Sequence, residues 1–230
     1  MKSLRAQHGP FKERPYYTDS EIEKTCVDEL QRVGLLPQSP EPIRIDRFIE
    51  KRFGVAHEYE DLPPGLLGYT RFSKSGVAQI VVARSLDDNS VVNDRRVRST
   101  LAHEAGHGLL HAHLFVVTGQ SSLFPDGQGA SPRVLCRDDR GPGGTKYQGE
   151  WWEYQANRTI GGLLLPRQLV LKALKPFLEP VGLLGISNLP RDRRGDAAMR
   201  LADSFDVNPI VAVLRLSELF PEQDGAQQTL

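Results

Sequence analysis

The sequence predicts an α+β protein, and three features indicate this class. Two neighbouring segments alternate apolar and polar residues as strands do, segments with helical periodicity lie on both sides of them, and glycine or proline separates most of these segments. The chain has 230 residues, 39% of them hydrophobic, which suffices for one large domain with its own core. Lys+Arg and Asp+Glu both number 29, so the formal net charge is zero and a globally basic nucleic-acid-binding protein is excluded.

The sequence has no feature typical of an exported or membrane protein. The first ten residues are polar and basic, without the apolar core of a signal peptide, and no run approaches the roughly 18 apolar residues of a membrane span. The two cysteines, Cys26 and Cys136, lie far apart and do not indicate a disulfide framework. We therefore expect a cytoplasmic protein with no membrane partner.

The N-terminal region, residues 1–40, is predicted to consist of an arm and a helix. Residues 1–16 are polar and irregular, so we expect a loose arm. Thr18 or Asp19 can cap a helix that continues to about Val33, because both side chains accept hydrogen bonds from the free amides of a first helical turn.

A short helix and a β-hairpin are predicted next. Apolar residues between Ile43 and Gly54 recur with helical spacing, and the glycine is suited to end that helix. Residues 66–73 and 77–83 have strand-like patterns, and the intervening Lys74-Ser75-Gly76 is suited to a turn. The two strands are therefore expected to pair antiparallel.

A long helix is then predicted from about residue 93 to residue 115. Its apolar stripe lies roughly 200° around the axis from His103, His107 and His111. We therefore expect one face of this helix to pack while the other face performs chemistry. The stripe predicted to face the core comprises Val97, Leu101, Ala105, Gly108 and Ala112.

This helix contains an HExxH sequence formed by His103, Glu104 and His107. Residues four apart on a helix lie about 40° apart around its axis and one turn apart along it, so both imidazoles aim at one point. Zn²⁺ accepts nitrogen ligands in this arrangement, and Glu104 beside them can take a proton from an attacking water. The motif predicts a metal site.

A catalytic zinc usually has three protein ligands, and several residues compete for the third position. His113 fits by spacing alone, but its side chain points about 100° away from the other two if the helix continues. His111 lies on the correct stripe, at a distance that better suits contact with substrate or with a ligand. Glu150 and Glu153 begin a later helix; Glu153 is favoured because it lies one turn deeper, where Asn157 can orient it.

Between these segments, residues 119–149 are rich in Gly, Ser, Asp and Pro and show no periodicity. A stretch of this length without secondary structure is uncommon inside a domain, so we expect a flexible loop that serves as a lid or contacts substrate. Helical periodicity resumes over residues 150–165. These segments belong to a predicted metal-binding core at residues 41–175.

The C-terminal part is predicted to form a helical module at residues 176–220 and a polar, mobile tail at residues 221–230. Two short helices fit residues 197–205 and 209–220. The pair has some helix-turn-helix character, but Asp206 occupies the turn where glycine is favoured, and further aspartates dilute the nearby arginine charge. We therefore expect a structural helix pair and no direct nucleic-acid binding.

Residues 98–111, RSTLAHEAGHGLLH, and residues 153–166, EYQANRTIGGLLLP, resemble two signature helices of the ImmA/IrrE family of zinc metallo-endopeptidases. Members of that family commonly show FTLAHELGHxLLH followed by ExxANxFAxxLLMP. The resemblance covers roughly residues 60–220. It implies a zincin-like metallopeptidase core: a small antiparallel sheet, an HExxH helix, a glutamate helix and helix-turn-helix-like C-terminal helices.

Carried over by position, the resemblance implies that His103, His107 and Glu153 bind one Zn²⁺ per chain and that Glu104 is the catalytic base. Residues 159–162, TIGG, replace the usual FAxx, and each mid-helix glycine weakens a helix by roughly 1 kcal/mol relative to alanine. The loop between the two signature helices is also longer than a minimal member needs.

The implied function is that of a regulatory zinc-dependent endopeptidase. Its substrate would be a partner protein such as a helix-turn-helix transcriptional repressor or an antitoxin, in a stress, mobile-element or toxin–antitoxin setting. An extended substrate can add to the strand at residues 77–83 through backbone hydrogen bonds. Two alternatives stay open: a general cytoplasmic peptidase, and a non-proteolytic zinc-containing regulatory protein that binds through its C-terminal helices. Further candidates for contact with substrate or support of the ligands are His111, Asn157, Tyr154 and Arg98.

Overall fold

A computed structural model of the chain describes residues 2–5, 13–114, 133–137, 151–181 and 186–221. It is α+β, with α-helices, a four-stranded sheet and two additional strand pairs. One continuous cluster of buried apolar side chains extends from the first helix to the last. The predicted class is therefore confirmed.

Along the chain, helices come both before and after the strands of the main sheet, as predicted. Short 3₁₀ turns occur at Arg84–Leu86, Lys175–Phe177 and Arg191–Arg193. The α-helices are α1 (Asp19–Arg32), α2 (Ile45–Phe53), α3 (Val91–Leu110), α4 (Trp151–Leu164), α5 (Arg167–Ala173), α6 (Arg194–Phe205) and α7 (Pro209–Leu219).

Both predicted N-terminal helices are present, and local residues explain where α1 begins and where α2 ends. The Thr18 side chain accepts from the backbone N–H of Glu21, and the Glu21 carboxylate accepts from that of Thr18, which forms a capping box at the start of α1. Gly54 follows α2 in the left-handed conformation, with φ 73°, where a glycine avoids the steric cost of a side chain.

The strands form three separate groups. β1 (Lys2–Arg5) and β2 (Glu13–Tyr16) pair antiparallel, so the prediction of an irregular arm over residues 1–16 is wrong for these two segments. Its polar composition concealed strands that carry no clear alternation. The main sheet has the order β3-β5-β4-β6, with β3 (His57–Glu60), β4 (Leu66–Ser73), β5 (Gly76–Ala83) and β6 (Arg133–Arg137), and the third group pairs β7 (Glu179–Val181) with β8 (Ile186–Asn188).

The predicted hairpin is confirmed, since β4 and β5 pair antiparallel. However, β5 is an internal strand, because β3 pairs parallel with its second half, from Ile80 to Ala83. The expectation that a substrate adds to an exposed edge at residues 77–83 is therefore wrong for this half of the strand. β3 has only four residues, HEYE, and its charged composition gave no strand signal.

The stretch predicted to lack secondary structure, residues 119–149, contains β6, which pairs antiparallel with the outer edge of β4. This prediction is therefore wrong for residues 133–137. A strand this short is recognised by its pairing partner, which the local sequence does not reveal. The other residues of the predicted loop lie outside the described ranges, as do residues 222–230 of the predicted tail.

Helix α3 is shorter at its C-terminal end than predicted. It begins at Val91, two residues earlier than predicted, after Ser90, whose side chain accepts from the Asn93 backbone N–H. It ends at Leu110, His111 forms a turn with φ −119°, and residues 112–114 are helical again. The predicted apolar stripe is buried except at Ala112, which is partly exposed, and His103 and His107 on the opposite side are buried as well. Both faces of this helix are covered because α4 packs along the histidine face.

Glycines allow α4 to lie close to its neighbours. A Cβ atom on Gly106 of α3 would be 2.0 Å from the Thr159 hydroxyl of α4, and one on Gly162 would be 2.8 Å from the sulfur of Cys26 in α1. The glycine at 162, expected to weaken the helix, thus has a packing function. The resulting arrangement places α4 against both α1 and α3.

The two C-terminal helices are attached to α3 by ion pairs. Asp206, between α6 and α7, adopts the left-handed conformation with φ 50° and ψ 54°. Its carboxylate lies 2.9 Å from Arg95 Nε and 3.3 Å from an Arg98 nitrogen, and Arg98 also donates to the carbonyl of Ile43. Within the described ranges, every helix is too short or too polar to span a bilayer.

Candidate metal centre

The two histidines of the HExxH sequence and a glutamate from α4 meet at one point. His103 and His107 lie one turn apart on α3, and their Nε2 atoms are 3.0 Å from each other. The Glu153 carboxylate lies 3.1 Å from His103 Nε2 and 3.5 Å from His107 Nε2. These residues form a cluster whose ligand atoms all fall within 4.8 Å of one another, an arrangement compatible with a metal ion.

The spacing of these atoms fits a small tetrahedral cation. Ligand bonds of about 2.0 to 2.1 Å around a tetrahedral Zn²⁺ place neighbouring ligand atoms about 3.3 Å apart. The three observed separations, 3.0, 3.1 and 3.5 Å, bracket this value. Two imidazoles and one carboxylate are also a donor set found in catalytic zinc sites, so the chemistry and spacing of these residues fit the ion.

Asn157 orients His103. Its Oδ1 atom lies 2.9 Å from His103 Nδ1, so this ring nitrogen donates and the opposite nitrogen, Nε2, directs its lone pair at the cluster. Asn157 was expected to orient Glu153; the partner that the structure describes for its side chain is His103. The side chain at position 157 thus reaches from α4 across to α3.

His107 has its own supporting contacts. Its Nδ1 lies 3.0 Å from His111 Nδ1, and His111 Nε2 lies 3.0 Å from the Oε1 atom of Gln155. The His111 ring is fully buried and makes an edge contact with the Trp151 indole, 5.6 Å between ring centres. Burial, followed by the neighbouring His107, lowers the pKa of His111 to about 3, so His111 is neutral.

Glu104 is fully buried beside the cluster. The Thr70 hydroxyl of β4 donates to its Oε2 at 2.6 Å, while Oε1 has no hydrogen-bond partner among the described residues. Gly68, also on β4, lies close by, where a Cβ atom would be only 2.6 Å from the Val81 carbonyl oxygen and 2.7 Å from the Thr100 methyl group. Burial raises the pKa of Glu104 to about 8, so its carboxyl group can both hold and release a proton near neutral pH.

Contacts within the cluster shift the pKa values of Glu153 and His103 in opposite directions. Burial alone would raise the pKa of Glu153, but His107 and His103 hold that pKa far below its usual value. Burial lowers the pKa of His103, yet the hydrogen bond and charge of Glu153 outweigh this and raise it. Metal binding at this cluster is coupled to these shifts, because a ligating imidazole has to offer a lone pair and a ligating carboxylate has to be ionised.

The remaining candidates lie elsewhere. His113 is exposed, beyond the end of α3, and is not part of the cluster. The contacts described for Arg98 are those with Asp206 and Ile43, which hold the C-terminal helices. The Tyr154 hydroxyl donates to Asp19 at 3.2 Å and accepts from Arg158. Glu150 lies outside the described residues.

Three residues of this site were not predicted from the sequence: Thr70, Trp151 and Gln155. Gln155 gave one usable signal, since a glutamine at a buried position of a helix needs hydrogen-bond partners. Thr70 had none, because its function depends on how β4 crosses α3. Trp151 belongs to a small separate core with Phe72, Leu114 and Trp152 that encloses His111 from one side.

Comparison with known proteins does not assign the chain to a family. A scan against protein-family models gives no match, and a search of curated proteins gives no significant match. The chemistry of this centre is therefore argued from its residues.

Proposed function

We propose that this protein is a zinc-dependent endopeptidase with a zincin-like core. The observation that supports this most directly is the convergence of His103 Nε2, His107 Nε2 and the Glu153 carboxylate, with separations of 3.0 to 3.5 Å. His103, His107 and Glu153 would hold one Zn²⁺ per chain. When bound, Zn²⁺ supplies Lewis acidity that activates water and polarises a peptide carbonyl.

Glu104 is suited to transfer the proton in peptide hydrolysis. Its Oε2 atom is fixed by Thr70, whereas Oε1 is free among the described residues to accept a proton from the attacking water. A carboxyl group with a pKa of about 8 can afterwards deliver that proton to the leaving amine. Its burial excludes bulk water from the proton, which keeps the transfer within the site.

The resemblance of residues 98–111 and 153–166 to the ImmA/IrrE signature supports a regulatory role. By that resemblance, we propose that the protein acts in the cytoplasm on a partner such as a helix-turn-helix repressor or an antitoxin. The expected reaction is limited cleavage of a folded protein. A general peptidase would instead prefer unfolded chains, so the folded state of the substrate separates the two functions.

The first test is metal content per chain, measured by mass spectrometry. We expect about one zinc in the wild type and in Asp196→Ala, which removes an exposed acidic residue from the first turn of α6, and none in Glu153→Ala. A folded wild type that binds no zinc after reconstitution would contradict the proposal. Zinc retained in Glu153→Ala would contradict the assigned third ligand.

The second test is cleavage itself. New N-termini are identified in a native lysate incubated with the wild type or with Glu104→Gln, and again in a heat-unfolded lysate. We expect a few specific cleavages in the native lysate, which Glu104→Gln reduces by roughly 10² to 10⁴-fold while keeping its zinc. Cleavage confined to the unfolded lysate would indicate a general peptidase, and no cleavage by the zinc-loaded wild type would contradict peptidase activity.

A further inference from the structure

The N-terminal strand β2 reaches the metal centre through a chain of hydrogen bonds. Gln155 Nε2 donates to the carbonyl of Pro15 at 2.9 Å, and Gln155 Oε1 lies 3.0 Å from His111 Nε2. His111 Nδ1 in turn lies 3.0 Å from His107 Nδ1. We propose that Pro15, Gln155 and His111 are positioning residues that select the tautomer of His107 in which Nε2 faces Glu153.

The direction of each hydrogen bond follows from the first. A backbone carbonyl only accepts, so the Gln155 amide must turn its NH₂ group toward Pro15 and its Oε1 toward His111. His111 Nε2 must then carry a hydrogen. Two ring nitrogens that face each other at 3.0 Å share one hydrogen, and a neutral His111 that donates from Nε2 has only a lone pair on Nδ1, so His107 Nδ1 donates to it. This leaves the lone pair of neutral His107 on Nε2.

The lone pair selected in this way is the one the cluster needs. His107 Nε2 lies 3.0 Å from His103 Nε2 and 3.5 Å from the Glu153 carboxylate. A hydrogen bond from the second ring nitrogen both orients a ligating imidazole and makes it a stronger base. His103 receives the equivalent support from Asn157, but that contact stays between two helices and does not involve β2.

The hydrogen-bonded chain from Pro15 through Gln155 and His111 to His107, called the relay below, is formed by buried groups. Gln155 is 3% exposed and His107 and His111 are 0% exposed, and Pro15 is also buried. An amide turned the other way would direct its carbonyl oxygen at the Pro15 carbonyl oxygen and lose this hydrogen bond, which is costly for a side chain with so little exposure. The N-terminal strand is therefore a structural part of the metal centre.

This inference rests on the proposed zinc site, but its first test needs no metal. Long-range ¹H–¹⁵N correlation spectra of the ¹⁵N-labelled, metal-free protein report which nitrogen of each histidine is protonated. We expect hydrogen on Nδ1 of His107 and on Nε2 of His111, and slow exchange of the Gln155 carboxamide proton that faces Pro15. Hydrogen on Nδ1 of His111 would overturn the relay, whatever the peptidase activity.

The second test is Zn²⁺ affinity, measured by competition with a chromophoric chelator. Gln155→Leu and His111→Leu should each weaken binding by about 10 to 100-fold, whereas Gln31→Leu, the same change at an exposed position of α1, should leave it unchanged. The double variant should bind Zn²⁺ no more weakly than the more affected of the two single variants, because both changes interrupt the same chain of hydrogen bonds. Wild-type affinity in Gln155→Leu, or fully additive losses, would overturn the proposal.

These measurements separate the two proposals from each other. Zinc that binds tightly and depends on Gln155, in a protein without peptidase activity, would support the relay and contradict the proposed function. Cleavage by a protein whose zinc affinity does not depend on Gln155 would do the reverse. Failure of Gln155→Leu to fold leaves the tautomer measurement on the wild type as the deciding result.

Discussion

Gly106, the small residue within the HExxH sequence, sets the distance between the helices that supply the histidines and Glu153. A Cβ atom at this position would lie 2.0 Å from the Thr159 hydroxyl and 3.2 Å from the backbone oxygen of Ala156. Non-bonded heavy atoms need about 3.5 Å, so Gly106→Ala must move α3 and α4 apart by more than about 1 Å or displace Thr159.

The free-energy cost follows from two opposing effects. Alanine is favoured over glycine inside a helix by about 1 kcal/mol, which stabilises the variant. Overpacking a tight contact costs about 1 to 3 kcal/mol, and a 2.0 Å approach lies at the upper end of that range. We therefore expect Gly106→Ala to be about 2 kcal/mol less stable than the wild type, and to bind Zn²⁺ more weakly because the ligands lie on both helices.

Urea unfolding of the metal-free protein measures this difference. Gly195→Ala is the matched control, since Gly195 lies in the first turn of α6 with nothing within 4 Å of the added Cβ, and it should be neutral or stabilised by up to about 1 kcal/mol. Adding Thr159→Ala to Gly106→Ala should recover part of the loss. A Gly106→Ala variant that unfolds at the wild-type urea concentration or higher would refute the reasoning.

Three further predictions concern other buried contacts. Gly162→Ala places a Cβ atom 2.8 Å from the Cys26 sulfur, so it should lower the free energy of unfolding by about 1 to 3 kcal/mol. In a double-mutant cycle, Cys26→Ala should recover part of this loss, and additive effects would argue against the contact. Burial raises the pKa of Glu104 to about 8 from 4.5, so the metal-free fold binds the proton more tightly than the unfolded chain and loses stability as pH rises between these values. Glu104→Gln should remove that loss, on the order of 4 kcal/mol, and parallel pH profiles of the two proteins in urea titrations would contradict it. Arg215, which is 5% exposed, pairs with Glu23 and Glu218, so Arg215→Met should lower the stability measured by thermal unfolding by about 2 to 4 kcal/mol. The control Lys24→Met removes an exposed ion pair with Asp28, whose side chains are 74% and 56% exposed, and should cost less than about 0.5 kcal/mol. Similar losses in both variants would show that burial of the pair is unimportant.

The parts of the fold predicted correctly are those specified by local sequence. Thr18 with Glu21 marks a helix start, Gly54 marks a helix end, and Lys74-Ser75-Gly76 marks a hairpin turn. Each signal acts over a few residues and needs no distant partner. By contrast, β3 and β6 are short strands that exist because β5 and β4 offer them backbone partners, and no periodicity within four or five residues identifies such pairing.

The candidate site shows the same division. His103 and His107 lie together because of helical spacing, and Glu153 could be placed near them from the cost of burying a carboxylate on a packed helix face. The partners of the ligands could not be assigned in this way. Whether Asn157 contacts Glu153 or His103 depends on the rotation of α4 against α3, which is decided by packing at positions such as Gly106.

The left-handed turn at Asp206 also constrains how this protein can change over evolution. Glycine would relieve the backbone strain at that position, yet it would remove the only carboxylate that joins Arg95 and Arg98 in the part of the chain described here. Losing the acid leaves Arg95 with its longer contact to Asp203 and Arg98 with its hydrogen bond to the Ile43 carbonyl, so both largely buried guanidinium groups lose their shared anion. Among related sequences, we therefore expect positions 95, 98 and 206 to vary together, with glycine at 206 accompanied by loss of at least one arginine.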